Sequence, residues 1–223
     1  MLIPSLTTLY ASLYADKWLL SNFQNIQELA ILPDEIGKGL HIISLLGPSF
    51  LAHLRSFIGP YASLVLLAAH TTIRNITLFP LPRFSVTEMH LIGTMIGCDS
   101  ARNVEYLDIT IPKMFSETLL HIIGGIFVSL KSLRITILDA GSDGENTPLS
   151  HQSLIQTLPQ YMPPNLITLK LEMPFTYRAE DQDDLLEPLM ERCIELNRVE
   201  VVYESQKSWI WGIWLVWEPS LVF

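Results

Sequence analysis

Cysteine is scarce in this chain. Cys98 and Cys193 are the two in 223 residues, far apart and in no CxxC or Cys/His ligand spacing, which excludes a disulfide-framed scaffold and a zinc ribbon and fits a reduced, cytoplasmic or nuclear compartment. Basic residues are few as well: 14 Lys and Arg stand against 23 Asp and Glu, giving a net charge of -9 and an isoelectric point near 5.1. A general nucleic-acid binder is excluded on that balance, because neutralising phosphates takes clustered cations. Six histidines are scattered with no HExxH spacing, and no G-x-S-x-G, P-loop or G-x-G-x-x-G occurs. No catalytic residue, metal ligand or cofactor is therefore assigned from motif. His121 lies in an apolar helical stretch and is expected to be an interior residue rather than a ligand.

Membrane and secretion signals are missing too. The start MLIPSLTTLYASLYADKW lacks a basic segment followed by an apolar one, so no signal peptide is expected and the sequon Asn75-Ile76-Thr77 is expected to be idle. Ser56 to Ile73 carries no formal charge for 18 residues, but Gly59, Pro60, His70, Thr71 and Thr72 make it too polar for a spanning helix. Ser208 to Trp217, SWIWGIWLVW, is strongly apolar yet half the length needed to span. It is expected to cap a core or to adhere to a surface.

What the chain has is apolar content and a repeated pattern. Hydrophobic residues make up 49% and charged residues 17%, with mean hydropathy +0.32, well outside the disordered regime. The pattern apolar-x-x-apolar-x-apolar occurs at Leu6-Leu9-Ala11, Ile26-Leu29-Ile31, Leu51-Leu54, Ile73-Ile76-Leu78, Val104-Leu107-Ile109, Leu130-Leu133-Ile135, Leu166-Leu169-Leu171 and Leu196-Val199-Val201, with starts 20 to 36 residues apart. In an extended strand alternate side chains point to opposite faces, so Leu107 and Ile109 go inward while Tyr106, Asp108 and Thr110 go outward. Pro112 ends that strand for want of an N–H.

Between the strands lie helical stretches. Ser85-Val86-Thr87-Glu88 is a capping box ahead of a helix ending at Gly97; Ser116 caps ETLLHII, which should stop at Gly124-Gly125; Ser150 caps HQSLIQTLP. Glu180, Asp181, Asp183 and Asp184 precede LLEPLMERC, where negative charge favours a helix N-terminus. Ala140 to Pro148, AGSDGENTP, reads as a flexible insertion.

Alternating strand and helix signals at this period predict an α/β fold: an irregular leucine-rich-repeat solenoid with a curved parallel sheet on the concave face and helices on the convex face. A leucine-rich-repeat domain is expected over 1–207, clearest over 26–203, followed by a Trp-rich tail, 208–223. The outward strand positions are polar and of mixed sign, running from Glu28, His53 and Arg55 through Thr110, Ser132, Thr136 and Glu172 to Glu200. Arg55, Asn75, Tyr106, Asp108, Arg134, Thr168, Lys170, Arg198 and Glu200 are the candidate partner-binding residues, with Tyr106 and Arg134 as anchors because Tyr and Arg dominate interface energetics. Solenoids hold partner proteins on such a face.

LAHLRSFIGPYASLVLLAAHTTIRNITL (Leu51 to Leu78), the strand endings ITIP (Ile109 to Pro112) and LEMP (Leu171 to Pro174), and ELNRVEVVY (Glu195 to Tyr203) resemble the leucine-rich substrate-recognition part of F-box-type proteins of basidiomycete fungi. The resemblance implies an adaptor that presents a substrate to a cullin-type ubiquitin ligase. Nothing before Ile26 resembles that family's F-box, so a cullin-type ligase adaptor is an expected partner only where an F-box equivalent exists. The Trp-rich tail and the missing repeat asparagine also depart from the pattern. Two other readings stay open: a small hydrolase or transferase with its site in the loops after the strands, and a membrane-associated protein using Ser208 to Trp217.

Overall fold

A computed structural model of the chain describes residues 7–12, 25–32, 52–61, 72–80, 99–112, 117–138, 151–173, 181–204 and 211–217. Close contacts divide the chain into two compact units, Met1–Glu105 and Tyr106–Phe223.

In the first unit four short strands, β1 (Thr8–Ser12), β2 (Glu28–Leu32), β3 (Ser56–Pro60) and β4 (Asn75–Phe79), pair in parallel in sequence order. Each repeat joins the sheet by the same device. The residue before the strand and the strand's first residue both donate to one carbonyl of the preceding repeat: Gln27 and Glu28 to Thr7, Arg55 and Ser56 to Gln27, Arg74 and Asn75 to Arg55. The inward positions Ile26, Leu29, Ile31, Ile73, Ile76 and Leu78 are at most 3% exposed, and each such side chain taken from water stabilises by about 1.5–3 kcal/mol.

The third repeat corrects the sequence reading. Phe57 pairs with Leu29 and with Ile76, so the inward positions are Leu54, Phe57 and Gly59 rather than Leu51 and Leu54. Two of these residues mislead for a physical reason. A Cβ at Gly59 would lie 2.5 Å from the Phe57 ring, so one large side chain fills the space of two and leaves a glycine where an apolar residue was sought. The strand at Ser56–Pro60 also removes Ser56 to Ile73 from consideration as a spanning helix. No helix among the described residues is long and apolar enough to cross a membrane.

The second unit alternates strand and helix: β5 (Tyr106–Pro112), α1 (Glu117–Ile126), β6 (Ser132–Leu138), α2 (His151–Tyr161), β7 (Thr168–Met173), α3 (Asp181–Arg192), β8 (Arg198–Glu204) and β9 (Trp211–Trp217). β5 to β8 are parallel and adjacent in sequence order. Parallel neighbours need a crossover, and the helices supply it. Leu107, Ile109, Leu133, Ile135, Leu169, Leu171, Val199 and Val201 meet Leu119, Ile123, Leu158, Leu185 and Leu189 in the core, all at most 1% exposed. The apolar tail contributes β9, antiparallel to β8, with an irregularity at Val201/Val202.

Helix α1 does not stop at Gly124-Gly125; it runs through both to Ile126. Gly124 is there for packing: a Cβ on it would collide with the Tyr161 carbonyl at the end of α2. His121 is exposed rather than interior, with its ring edge-on to Tyr161 at 5.0 Å. Asp181 and Asp184 fall within the first turn of α3. The caps expected at Ser85, Ser116 and Ser150, the helix ending at Gly97 and the insertion Ala140 to Pro148 lie outside the described residues.

Candidate functional site: the polar face of β5 to β8

Strand register assembles the site. Tyr106, Ser132, Thr168 and Arg198 share one row; Asp108, Arg134, Lys170 and Glu200 share the next; Thr110, Thr136, Glu172 and Val202 share the third. Seven of the nine candidate residues, Tyr106, Asp108, Arg134, Thr168, Lys170, Arg198 and Glu200, thus meet on one face of the second unit. Arg55 and Asn75 belong to the first unit. Arg55 is exposed and sits just before β3 rather than on it, a consequence of the corrected register; His53 lies in the turn before that, and Asn75 opens β4.

The middle row sets two cations, Arg134 and Lys170, abreast on neighbouring strands, an arrangement that repels. Glu172, two residues along β7, lies diagonal to Arg134 and resolves the conflict. Its Oε1 accepts from Arg134 Nη2 at 2.7 Å and pairs with Lys170 Nζ at 3.3 Å, while its Oε2 accepts from Thr136 Oγ1 at 3.0 Å. The chain of charges continues outward on both sides. Arg134 Nη1 reaches Asp108 Oδ2 at 3.5 Å; Lys170 Nζ reaches Glu200 Oε1 at 2.8 Å; Arg198 Nη2 reaches Glu200 Oε2 at 3.1 Å. Thr168 Oγ1 donates to Ser132 Oγ at 2.7 Å in the row alongside. Three cations and three carboxylates cancel formally.

They do not lie at one depth. The carboxylate side chains are 13–15% exposed and the cationic ones 36–48%, so the acids form a lower layer and the Arg and Lys heads stand above it.

The electrostatics follow from that layering. Burial pushes the Asp108 carboxyl up from its ordinary 3.8, and repulsion from Glu172 adds to this, because Arg134 at 3.5 Å does not return what desolvation costs. The Tyr106 hydroxyl is raised by burial and by the Asp108 charge beside it. Hydrogen bonding to Glu200 raises Lys170, and the same bond holds Glu200 below its ordinary value. Arg134 is raised despite partial burial, since Asp108 and Glu172 both favour its charge; its Nε is buried without a hydrogen-bond partner.

Sequence reasoning placed Glu172 on the face without singling it out, and its bridging role is visible only in the register. The exposed Tyr10 and Ile58, 70% and 39% exposed on one row of the first unit, were missed. The shifted third repeat hid Ile58, and the first repeat's pattern is faint. Among the described residues no cluster of His, Cys, Asp and Glu is arranged to hold a metal ion. Cys193 is buried, its thiol raised by desolvation and donating to the Pro163 carbonyl at 3.3 Å. No protein family and no curated protein matches this chain.

Proposed function

We propose that this chain is a non-enzymatic protein-interaction module that holds its partner on the polar face of β5 to β8, and that its repeats form an irregular leucine-rich-repeat solenoid of the substrate-recognition kind found in F-box-type ubiquitin ligase adaptors. The observation that carries the reading is the layered charge network. Helices cover one side of a sheet and leave the other bare, and a bare side needs only to be polar. Here it carries three raised cationic heads beside Tyr106, orientated by carboxylates beneath them and so partly relieved of the entropy cost of being fixed on binding. The parallel strand-turn-helix repeat supports the solenoid reading, since each unit buries its apolar edge against the next.

The test is affinity purification of the tagged chain from its own host, with mass spectrometry of what accompanies it. Arg134→Glu with Lys170→Glu is expected to remove the proteins bound to this face, whereas Arg55→Glu tests the first unit separately. A partner set that survives the double reversal unchanged would overturn the face as the binding site. Recovery of a cullin with its adaptor supports the ligase role. A specific partner with neither leaves a free-standing interaction module and ends the ligase reading.

A further inference from the structure

The charge network on the polar face of β5 to β8 is balanced in charge but not in hydrogen bonds. Both oxygens of Glu172 and both of Glu200 are engaged: Glu172 by Arg134, Lys170 and Thr136, Glu200 by Lys170 and Arg198. The cations are less committed. A guanidinium carries five N–H donors and an ammonium three. Among the described residues Arg134 meets Asp108 and Glu172 once each, and Lys170 meets Glu172 and Glu200 once each, so four of those eight donors face a carboxylate. One more, at Arg134 Nε, is buried without a partner. The others belong to the exposed ends of the two side chains.

Depth decides what an arriving group feels. The acids lie beneath and the cationic heads above them, so anything coming from solvent touches the heads first. Coulomb energy falls as the inverse of distance, and an anion about 3 Å from a head and about 6 Å from the acid under it feels a pull about twice the push. From farther away the two layers cancel. The attraction therefore acts at contact, and it favours charges carried on a thin, pliable segment over those fixed on a stiff duplex.

Resting on the reading of this face as the binding site, we propose that its occupant is an extended acidic segment of a partner protein, whose Asp or Glu side chains take the unengaged donors of Arg134 and Lys170. Charge and donor complementarity select it. A basic segment would set cations against cations, and an apolar one would strip water from the charged heads and leave their donors without acceptors. Strand register sets the spacing. Arg134 and Lys170 stand abreast on neighbouring strands, about 4.8 Å apart, and Arg198 follows on the next strand one row back. Alternate residues of an extended chain lie about 7 Å apart on one side, so two or three alternate acids laid across β6, β7 and β8 reach these heads.

The experiment uses the full chain and fluorescent synthetic peptides of about ten residues in which Ser alternates with Glu, Gln or Lys. Anisotropy is read at about 0.1 M salt, where surface charge still acts over about 10 Å. The Glu/Ser peptide is expected to bind on the order of tenfold more tightly than the Gln/Ser or Lys/Ser peptide. Arg134→Gln with Lys170→Gln is expected to remove about tenfold of that affinity. Arg134→Lys with Lys170→Arg keeps both charges, and since each head makes single contacts rather than a fork on one carboxylate, it is expected to hold binding within about threefold; a merely structural loss would not be rescued in this way. Far-ultraviolet circular dichroism checks that each variant is folded, and should the double neutralisation fail to fold, Lys170→Gln alone is expected to weaken binding about threefold. Equal binding of the Glu/Ser and Gln/Ser peptides, or equal binding by parent and the neutralised variant, would overturn the proposal. So would a dimer in sedimentation that Arg134→Gln with Lys170→Gln abolishes, since a second copy would then be the occupant. Failure of the reading beneath it looks different: host proteins that survive charge reversal of Arg134 and Lys170 overturn the face itself, whereas host proteins lost on reversal yet not displaced by excess Glu/Ser peptide overturn the acidic occupant alone.

Discussion

At the scale of single residues, Glu172 holds the strand face together. Among the described residues it is the one carboxylate that serves both Arg134 and Lys170, and it also takes the Thr136 hydroxyl. Glu172→Ala leaves two cations abreast with three donors short of an acceptor, and is expected to cost about 1–3 kcal/mol, lowering Tm by about 2–4 °C for each kcal/mol. Denaturant unfolding measures it; a change within about 0.5 kcal/mol would show that water replaces the carboxylate.

The two neighbouring acids should respond to pH with opposite signs. Glu200 has a lowered folded pKa, so its contribution is complete above the unfolded carboxylate value and is lost as pH falls through the folded one. Glu200→Gln is therefore expected to destabilise at pH 7, with the gap to the parent closing on acidification. Asp108 has a raised folded pKa, so its contribution is complete below the unfolded value and is lost as pH rises through the folded one. Asp108→Asn is expected to be at least as stable as the parent at pH 7, and urea unfolding at neutral and acidic pH checks both. These acids were legible as outward residues from strand alternation alone; their opposite titration was not, because it depends on which cation each one meets across the strands.

At the scale of elements, the two adjacent glycines of α1 separate local propensity from packing. Sequence reads Gly124-Gly125 as a stop, since glycine is a poor helix former. In the fold α1 continues through both, and their environments differ: a Cβ on Gly124 strikes the Tyr161 carbonyl, whereas nothing lies within 4 Å of one on Gly125. Gly124→Ala is expected to push α1 from the end of α2 at a cost of about 1–3 kcal/mol. Gly125→Ala is expected to stabilise by about 0.5–1 kcal/mol through helix propensity and a restricted unfolded chain. Thermal unfolding of the pair decides the matter, and equal effects would mean that α1 and α2 do not approach as described. The third repeat teaches the same lesson on the strand side. Its inward set Leu54, Phe57 and Gly59 does not look apolar at every place, since Phe57 fills the room left by Gly59.

At the scale of the whole molecule, charge sets the choice of partners. Of 14 Lys and Arg, Arg74, Arg134, Lys170 and Arg198 are already engaged with carboxylates, and the balance is -9. Double-stranded DNA is expected to show no binding at about 0.15 M salt; a gel-shift or anisotropy titration checks it, and salt-dependent retention would contradict the reading of the strand face as internally neutralised.

The sequence by itself determined the alternation of strand and helix over 106–204, the inward residues of six repeats and the outward placement of Tyr106, Asp108, Arg134, Lys170 and Glu200, because a period of two is written into each strand. Tertiary structure alone decided the rest. It joined the Trp-rich segment to β8 as an antiparallel strand, divided the chain at Glu105, and chose Glu172 as the bridge between Arg134 and Lys170. The physical reason is common to all three: each depends on which residues of different strands lie side by side, and cross-strand register is a property of the packed sheet that no single segment carries.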